Sequence, residues 1–129
     1  MKRLFIVTAL IELGVGLALL CFPSAMVALL LGSSLDAPAA VTLGRVAGAA
    51  LLALGVANWL AQYDEQSCAA RGLVSAMVLY NLGAVIILAS AGIGLGFIGI
   101  ALWPAVILHA AMAVWCVTSL RRSPLDVMD

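Results

Sequence analysis

The stretch GLVSAMVLYNLGAVIILASA, residues 72–91, contains no Asp, Glu, Lys or Arg. At about 1.5 Å of rise per residue, a helix of this length covers about 30 Å, the thickness of a bilayer's hydrocarbon core. Working outward, three more segments of the same kind appear: Leu4–Phe22, Ala39–Gln62 and Phe97–Ser119. Four spans leave no residues for a second unit, so the chain reads as one integral membrane domain over residues 1–129.

Composition agrees. Of 129 residues 66% are hydrophobic and 9% charged, with mean hydropathy +1.25. Ordinary soluble domains are about 45–50% apolar and about 25% charged. A soluble fold of this size has too little interior for so much apolar surface, whereas lipid supplies the missing apolar surroundings. The reading is therefore all-α: a four-transmembrane-helix bundle. The formal net charge is zero, which gives no basis for binding nucleic acid. The expected partners are the lipid bilayer and other membrane helices, in a homo- or hetero-oligomer.

Lys2 and Arg3 followed by an apolar run resemble a secretory signal, but Leu4–Phe22 exceeds the usual 7–15 residues and contains Glu12. It reads as the first span. Pro23–Gly32 is apolar and too short to cross, which suits a short interfacial helix after the first span or a bent extension of it. Ser33–Pro38 reads as a turn, with Ser or Asp placed to cap the second span. Tyr63–Arg71 reads as a polar loop, and Gly92, Gly94, Gly96 and Gly99 as a flexible last connection.

Lys2, Arg3, Arg71, Arg121 and Arg122 all fall on one side of such a bundle, and the opposite loops carry no Lys or Arg. The positive-inside rule then puts both termini in the cytoplasm, with Trp59 and Trp115 near that interface. Cys21 falls at the outer end and Cys68 and Cys116 at the cytoplasmic end; all three read as small packing residues.

Helix contacts in lipid favour small residues, which let backbones approach. Gly44, Gly48 and Gly55 form such a stripe in the second span, continuing to Asn58, and Ala101 and Ala105 form one in the fourth, continuing to His109. Thr8, Glu12 and Gly16 share a face in the first span, and Tyr80 and Gly83 in the third, with Asn81 beside them. Counting rise from the cytoplasmic edge of a core about 30 Å thick, Glu12 and His109 lie at about 12 Å and Asn81 at about 13 Å. Arg45 lies about 9 Å higher, from where its long side chain could bend down toward a carboxylate. Glu12, Arg45, Tyr80, Asn81 and His109 thus form a candidate intramembrane polar cluster. An isolated charge at mid-membrane costs about 2.5–3.5 kcal/mol on insertion scales. Glu12 is therefore expected to pair with Arg45 or to hold a proton, either as a structural pair or as a proton-responsive or ligand-binding site.

No nucleophile–base pair, phosphate-cradling loop or metal-ligand spacing is present, so no catalytic residue, metal or enzyme activity is expected. His109 is the single histidine. Haem would lack a second His, and Met77 and Met112 read as gap-filling core, so no cofactor is expected.

The runs Leu43-Gly44-Arg45-Val46-Ala47-Gly48, Leu79-Tyr80-Asn81 and Leu102-Trp103-Pro104-Ala105-Val106-Ile107-Leu108-His109 resemble those of small uncharacterised bacterial four-helix membrane proteins. More distantly, the architecture is similar to the DoxX-like proteins, with a first span ending near a proline, an interfacial segment and a Gly-Arg start to the second span. The resemblance implies a bacterial inner-membrane location. Because some DoxX-like proteins are subunits of membrane oxidoreductases, it also implies an accessory or scaffolding role without chemistry of its own. Glu12 in the first of four spans also resembles the small multidrug transporters, which implies the alternative of a small proton-coupled transporter. The second- and third-helix motifs of that family have no counterpart here.

Overall fold

The computed structural model describes residues 1–122; the last seven, which the sequence reading assigns to the same domain, lie outside the described residues. Five helices and no strand occur among the described residues: α1 (Lys2–Cys21), α2 (Pro23–Leu31), α3 (Pro38–Ala61), α4 (Cys68–Gly94) and α5 (Leu102–Arg122). All but α2 are long and apolar enough to cross a membrane. The protein is an all-α bundle of four transmembrane helices with a short helix after the first.

Local chemistry sets the breaks. Phe22 precedes a proline and is driven from helical geometry, adopting φ −131°. It ends α1 while Pro23, at the first position of α2, supplies a preset φ and lacks an amide that would go unpaired there. Gly32, at φ +76°, closes α2 in the left-handed region that glycine enters without penalty. Pro38 opens α3 after an extended Ala37, and no side chain caps it. The expected Ser or Asp cap does not form, because Ser34 Oγ donates instead to Asp36 Oδ1 at 2.9 Å.

Three boundaries depart from the sequence reading, one of them the start of the last span, which lies at Leu102 rather than Phe97. The polar loop ends early, because the Ser67 hydroxyl accepts from the Ala70 amide at 3.1 Å and starts α4 at Cys68, a turn before Gly72. At the other end α4 continues through Gly92 and Gly94, so the connection to α5 is confined to the residues after Gly94. There Gly96, at φ +71°, lets the Phe97 amide return to the Ala91 carbonyl at 3.2 Å.

The transmembrane helices associate as two antiparallel pairs, α1 with α3 and α4 with α5. Glycines draw the first pair together. A Cβ on Gly48 would fall 2.7 Å from the Leu20 amide nitrogen and 2.8 Å from the Gly16 carbonyl oxygen, and one on Gly55 would fall 2.8 Å from Leu13 Cγ. Gly44 packs against Pro23, where the α1–α2 bend passes over α3. The two pairs meet mainly at the end bearing Met1 and Arg122, where Leu4 and Phe5 of α1 pack with Val74 and Met77 of α4 and Met112 and Cys116 of α5. Lys2, Arg3, Arg71, Arg121 and Arg122 gather at this end, and the last two suit the negative pole of α5. Elsewhere large apolar side chains face outward, such as Leu79 at 75% and Ile107 at 68% exposure, as lipid requires. Cys21 and Cys68 are also exposed; of the three cysteines only Cys116 is a buried packing residue.

Candidate functional site: a cavity between the helix pairs

Away from the closed end the pairs separate and leave a cavity of about 830 Å³. All five helices line it. Leu51 and Leu54 of α3 face Gly83 and Ile87 of α4, α1 and α5 form the other walls, and Met26 and Leu30 of α2 lie across the far end. The short helix is held there by a backbone bond from the Ala101 amide to the Leu29 carbonyl, 2.9 Å. Gly99 has no room for a side chain against the Leu30 carbonyl. Several wall residues, among them Val15, Ala47 and Leu79, are exposed, so the cavity opens sideways toward the position of lipid.

Polar groups gather on the cavity wall next to the closed end. Glu12 is only 4% exposed, and its Oε2 accepts from Asn58 Nδ2 at 2.9 Å. The Asn58 amide also donates to the Leu54 carbonyl at 3.0 Å and approaches Met77 Sδ at 3.7 Å. One turn along α4, Asn81 Nδ2 donates to the Met77 carbonyl at 2.7 Å, which leaves Asn81 Oδ1 as an acceptor for His109 Nδ1 at 2.8 Å. In the neutral imidazole Nδ1 then carries the proton and Nε2 keeps its lone pair. Tyr80 stands edge-on to His109, ring centroids 5.6 Å apart. Polar contacts thus run from Glu12 on one pair, through Asn58 and α4, to His109 on the other. Glu12 Oε1 is buried without a hydrogen-bond partner among the described residues, an arrangement that native structures seldom leave unexplained.

Glu12, Tyr80, Asn81 and His109 all line this one cavity. Arg45 does not, and the expected Glu12–Arg45 pair is corrected on two counts. Nine residues separate Arg45 from Leu54, which turns it about 180° from the cavity-lining face of α3. Its neighbour Gly44 lies beside Leu19 and Pro23, two or more turns beyond Glu12. Arg45 is exposed and forms no salt bridge among the described residues. The carboxylate's partner is Asn58, which the sequence places at the end of the Gly44–Gly48–Gly55 stripe. The overlooked signal is the antiparallel register of that stripe against Gly16, which brings Asn58 within reach of Glu12. Gly44, Gly48 and Gly55 are contacts between helices, whereas Ala101 and Ala105 line the cavity.

Among the described residues the site holds one carboxyl, two amides, an imidazole, a phenol and the Thr8 hydroxyl in apolar surroundings. Among the described residues no three His, Cys, Asp or Glu side chains converge as a metal site would need. Comparison with protein-family models, curated proteins and solved structures gives no match to this chain.

Proposed function

We propose that this small polytopic membrane protein is an accessory subunit of a membrane complex, without chemistry of its own, whose cavity admits a molecule from the lipid phase. The observation that carries the reading is the sideways-open cavity with polar groups at its closed end. Ligand sites are typically concave, about 300–1,000 Å³, mostly apolar, and furnished with a few polar groups that fix orientation. A bacterial inner-membrane location with both termini cytoplasmic belongs to the same proposal and rests on the basic residues gathered at one end. So does the distant DoxX-like relationship, together with partners drawn from other membrane helices.

The test is lipid extraction from the purified chain followed by mass spectrometry. A Cβ on Gly83 would meet nothing within 4 Å, so Gly83→Phe fills the cavity from a wall with room for it. Wild-type protein is expected to retain a lipid-phase molecule that Gly83→Phe loses at unchanged melting temperature. Equal retention by both sinks the reading.

The buried, unpartnered Glu12 Oε1 favours a second reading, a small proton-coupled transporter using Glu12. In proteoliposomes that reading requires solute flux driven by a pH gradient and abolished by Glu12→Gln. No flux in either protein eliminates it.

A further inference from the structure

Four side chains lining the cavity keep a polar atom without a hydrogen-bond partner among the described residues: the hydroxyls of Thr8 and Tyr80, Glu12 Oε1 and His109 Nε2. The two hydroxyls can donate or accept, so Glu12 and His109 are the groups that discriminate between ligands. Glu12 Oε1 is buried and unbonded, and His109 Nε2, opposite the nitrogen engaged by Asn81, bonds to no described residue. Asn81 fixes the imidazole through its own bond to the Met77 carbonyl, so neutral His109 presents an acceptor and requires a donor. Glu12 accepts as a carboxylate and can donate as a carboxylic acid. A hydroxyl accepts from a protonated Glu12 while giving its single proton to His109, and so satisfies both atoms at once; against the ionised carboxylate that one proton serves either Glu12 or His109. A carbonyl or ester serves only a protonated Glu12 and leaves Nε2 unpaired. An ammonium must be desolvated in full against a single carboxylate, which usually costs more than burying a hydroxyl. A phosphate finds no counter-charge, because among the described residues no Lys or Arg lines the cavity and its one acidic side chain is Glu12.

Resting on the reading of the cavity as a lipid-phase site, we infer that its occupant is a neutral amphiphile with a hydroxyl head group, seated with that hydroxyl against Glu12 and His109. Its apolar body lies along Leu51, Leu54 and Ile87 toward α2, and the open flank between the helix pairs is its route in from the bilayer. The ligand is thus selected by its head: of the chain-matched lipids that enter the same volume, an ester leaves Nε2 unpaired, an amine carries the desolvation cost and a phosphate lacks a counter-charge.

The test uses the full chain in phosphatidylcholine nanodiscs, titrated with oleyl alcohol, methyl oleate, oleylamine and oleyl phosphate and read by native mass spectrometry. The alcohol is expected to bind about three- to tenfold tighter than the ester, the range one neutral hydrogen bond gives. The phosphate should bind weakest, and His109→Phe should bring the alcohol to the affinity of the ester. Tightest binding by the ester, amine or phosphate overturns the inference, as does an alcohol preference that survives His109→Phe. Should that variant fail to fold, the wild-type ranking alone decides. If all four bind equally and Gly83→Phe displaces them, the cavity reading stands and the head-group inference falls. If none binds, or Gly83→Phe displaces none, both fall.

Discussion

Asn58 engages one oxygen of Glu12 and leaves the other bare. At the residue scale this makes the asparagine more consequential than its neutral side chain suggests. Asn58→Leu keeps a similar volume but removes the hydrogen bond between Asn58 and the acid. Leaving a buried polar group unsatisfied costs about 1–3 kcal/mol, and more when the group is charged. The variant should therefore lose at least about 2 kcal/mol on denaturant titration in mixed micelles. The double variant Glu12→Leu with Asn58→Leu should recover more than half of that loss, because it removes the orphan along with its partner. Equal destabilisation by the single and double variants would show that Asn58 supports the fold through packing alone. Arg45→Ala, on the opposite face of α3, should change stability by less than about 0.5 kcal/mol, as a surface substitution does.

The α1–α3 pair owes its closeness to glycines that are not interchangeable. At Gly48 an added Cβ meets backbone on two sides, at 2.7 and 2.8 Å, and backbone cannot rotate away. Gly48→Ala is expected to cost about 1–3 kcal/mol, the range for overpacking a close contact. Gly83→Ala enters open space and should stay within about 0.5 kcal/mol of wild type, as substitutions without a named mechanism do. The pair is checked by the same mixed-micelle titration, and a cost at Gly83 equal to that at Gly48 would contradict the assignment of helix contacts. Much of this scale can be read before folding, because a GxxxG pair identifies the contact face and proline and glycine mark the ends of α1 and α2. The start of α4 is not legible in the same way. Ser67 is one of several polar residues in its loop, and only its bond to Ala70 distinguishes the cap from its neighbours.

For the whole molecule, the end bearing Met1 is tied across helices. The Met1 ammonium lies 2.7 Å from Glu65 Oε2, which also accepts from the Lys2 amide. The hydrogen bond from that ammonium holds the Glu65 carboxyl below its usual value of 4.5. A carboxyl depressed in the folded state contributes stability that is fully present above 4.5 and is lost as the pH falls through the lower folded value. Melting temperature should therefore drop on acidification below pH 4.5 by more in wild type than in Glu65→Gln. The difference should be small, because the Glu65 side chain is part-exposed and water screens the pair. Identical acid sensitivity would exclude Glu65 as a contributor. The two exposed cysteines report orientation. In single-cysteine variants probed in intact cells, a membrane-impermeant maleimide is expected to label Cys21 and spare Cys68, and the reverse pattern would invert the proposed topology.

Composition and hydropathy by themselves determine that four apolar helices cross a bilayer, because the length and greasiness of a segment are local properties that no later packing can cancel. Spacing along each helix also marks Glu12, Asn81 and His109 as polar interruptions beside small residues. What only the tertiary structure decides is which polar group meets which. Glu12 faces Asn58 rather than Arg45 because side-chain direction depends on helix rotation and register, and a single residue turns a side chain through about 100°. The cavity likewise belongs to the assembled chain. It exists because α1–α3 and α4–α5 each close on themselves, meet directly at one end and are bridged by α2 at the other, an arrangement set by contacts among all five helices and written in none of them alone.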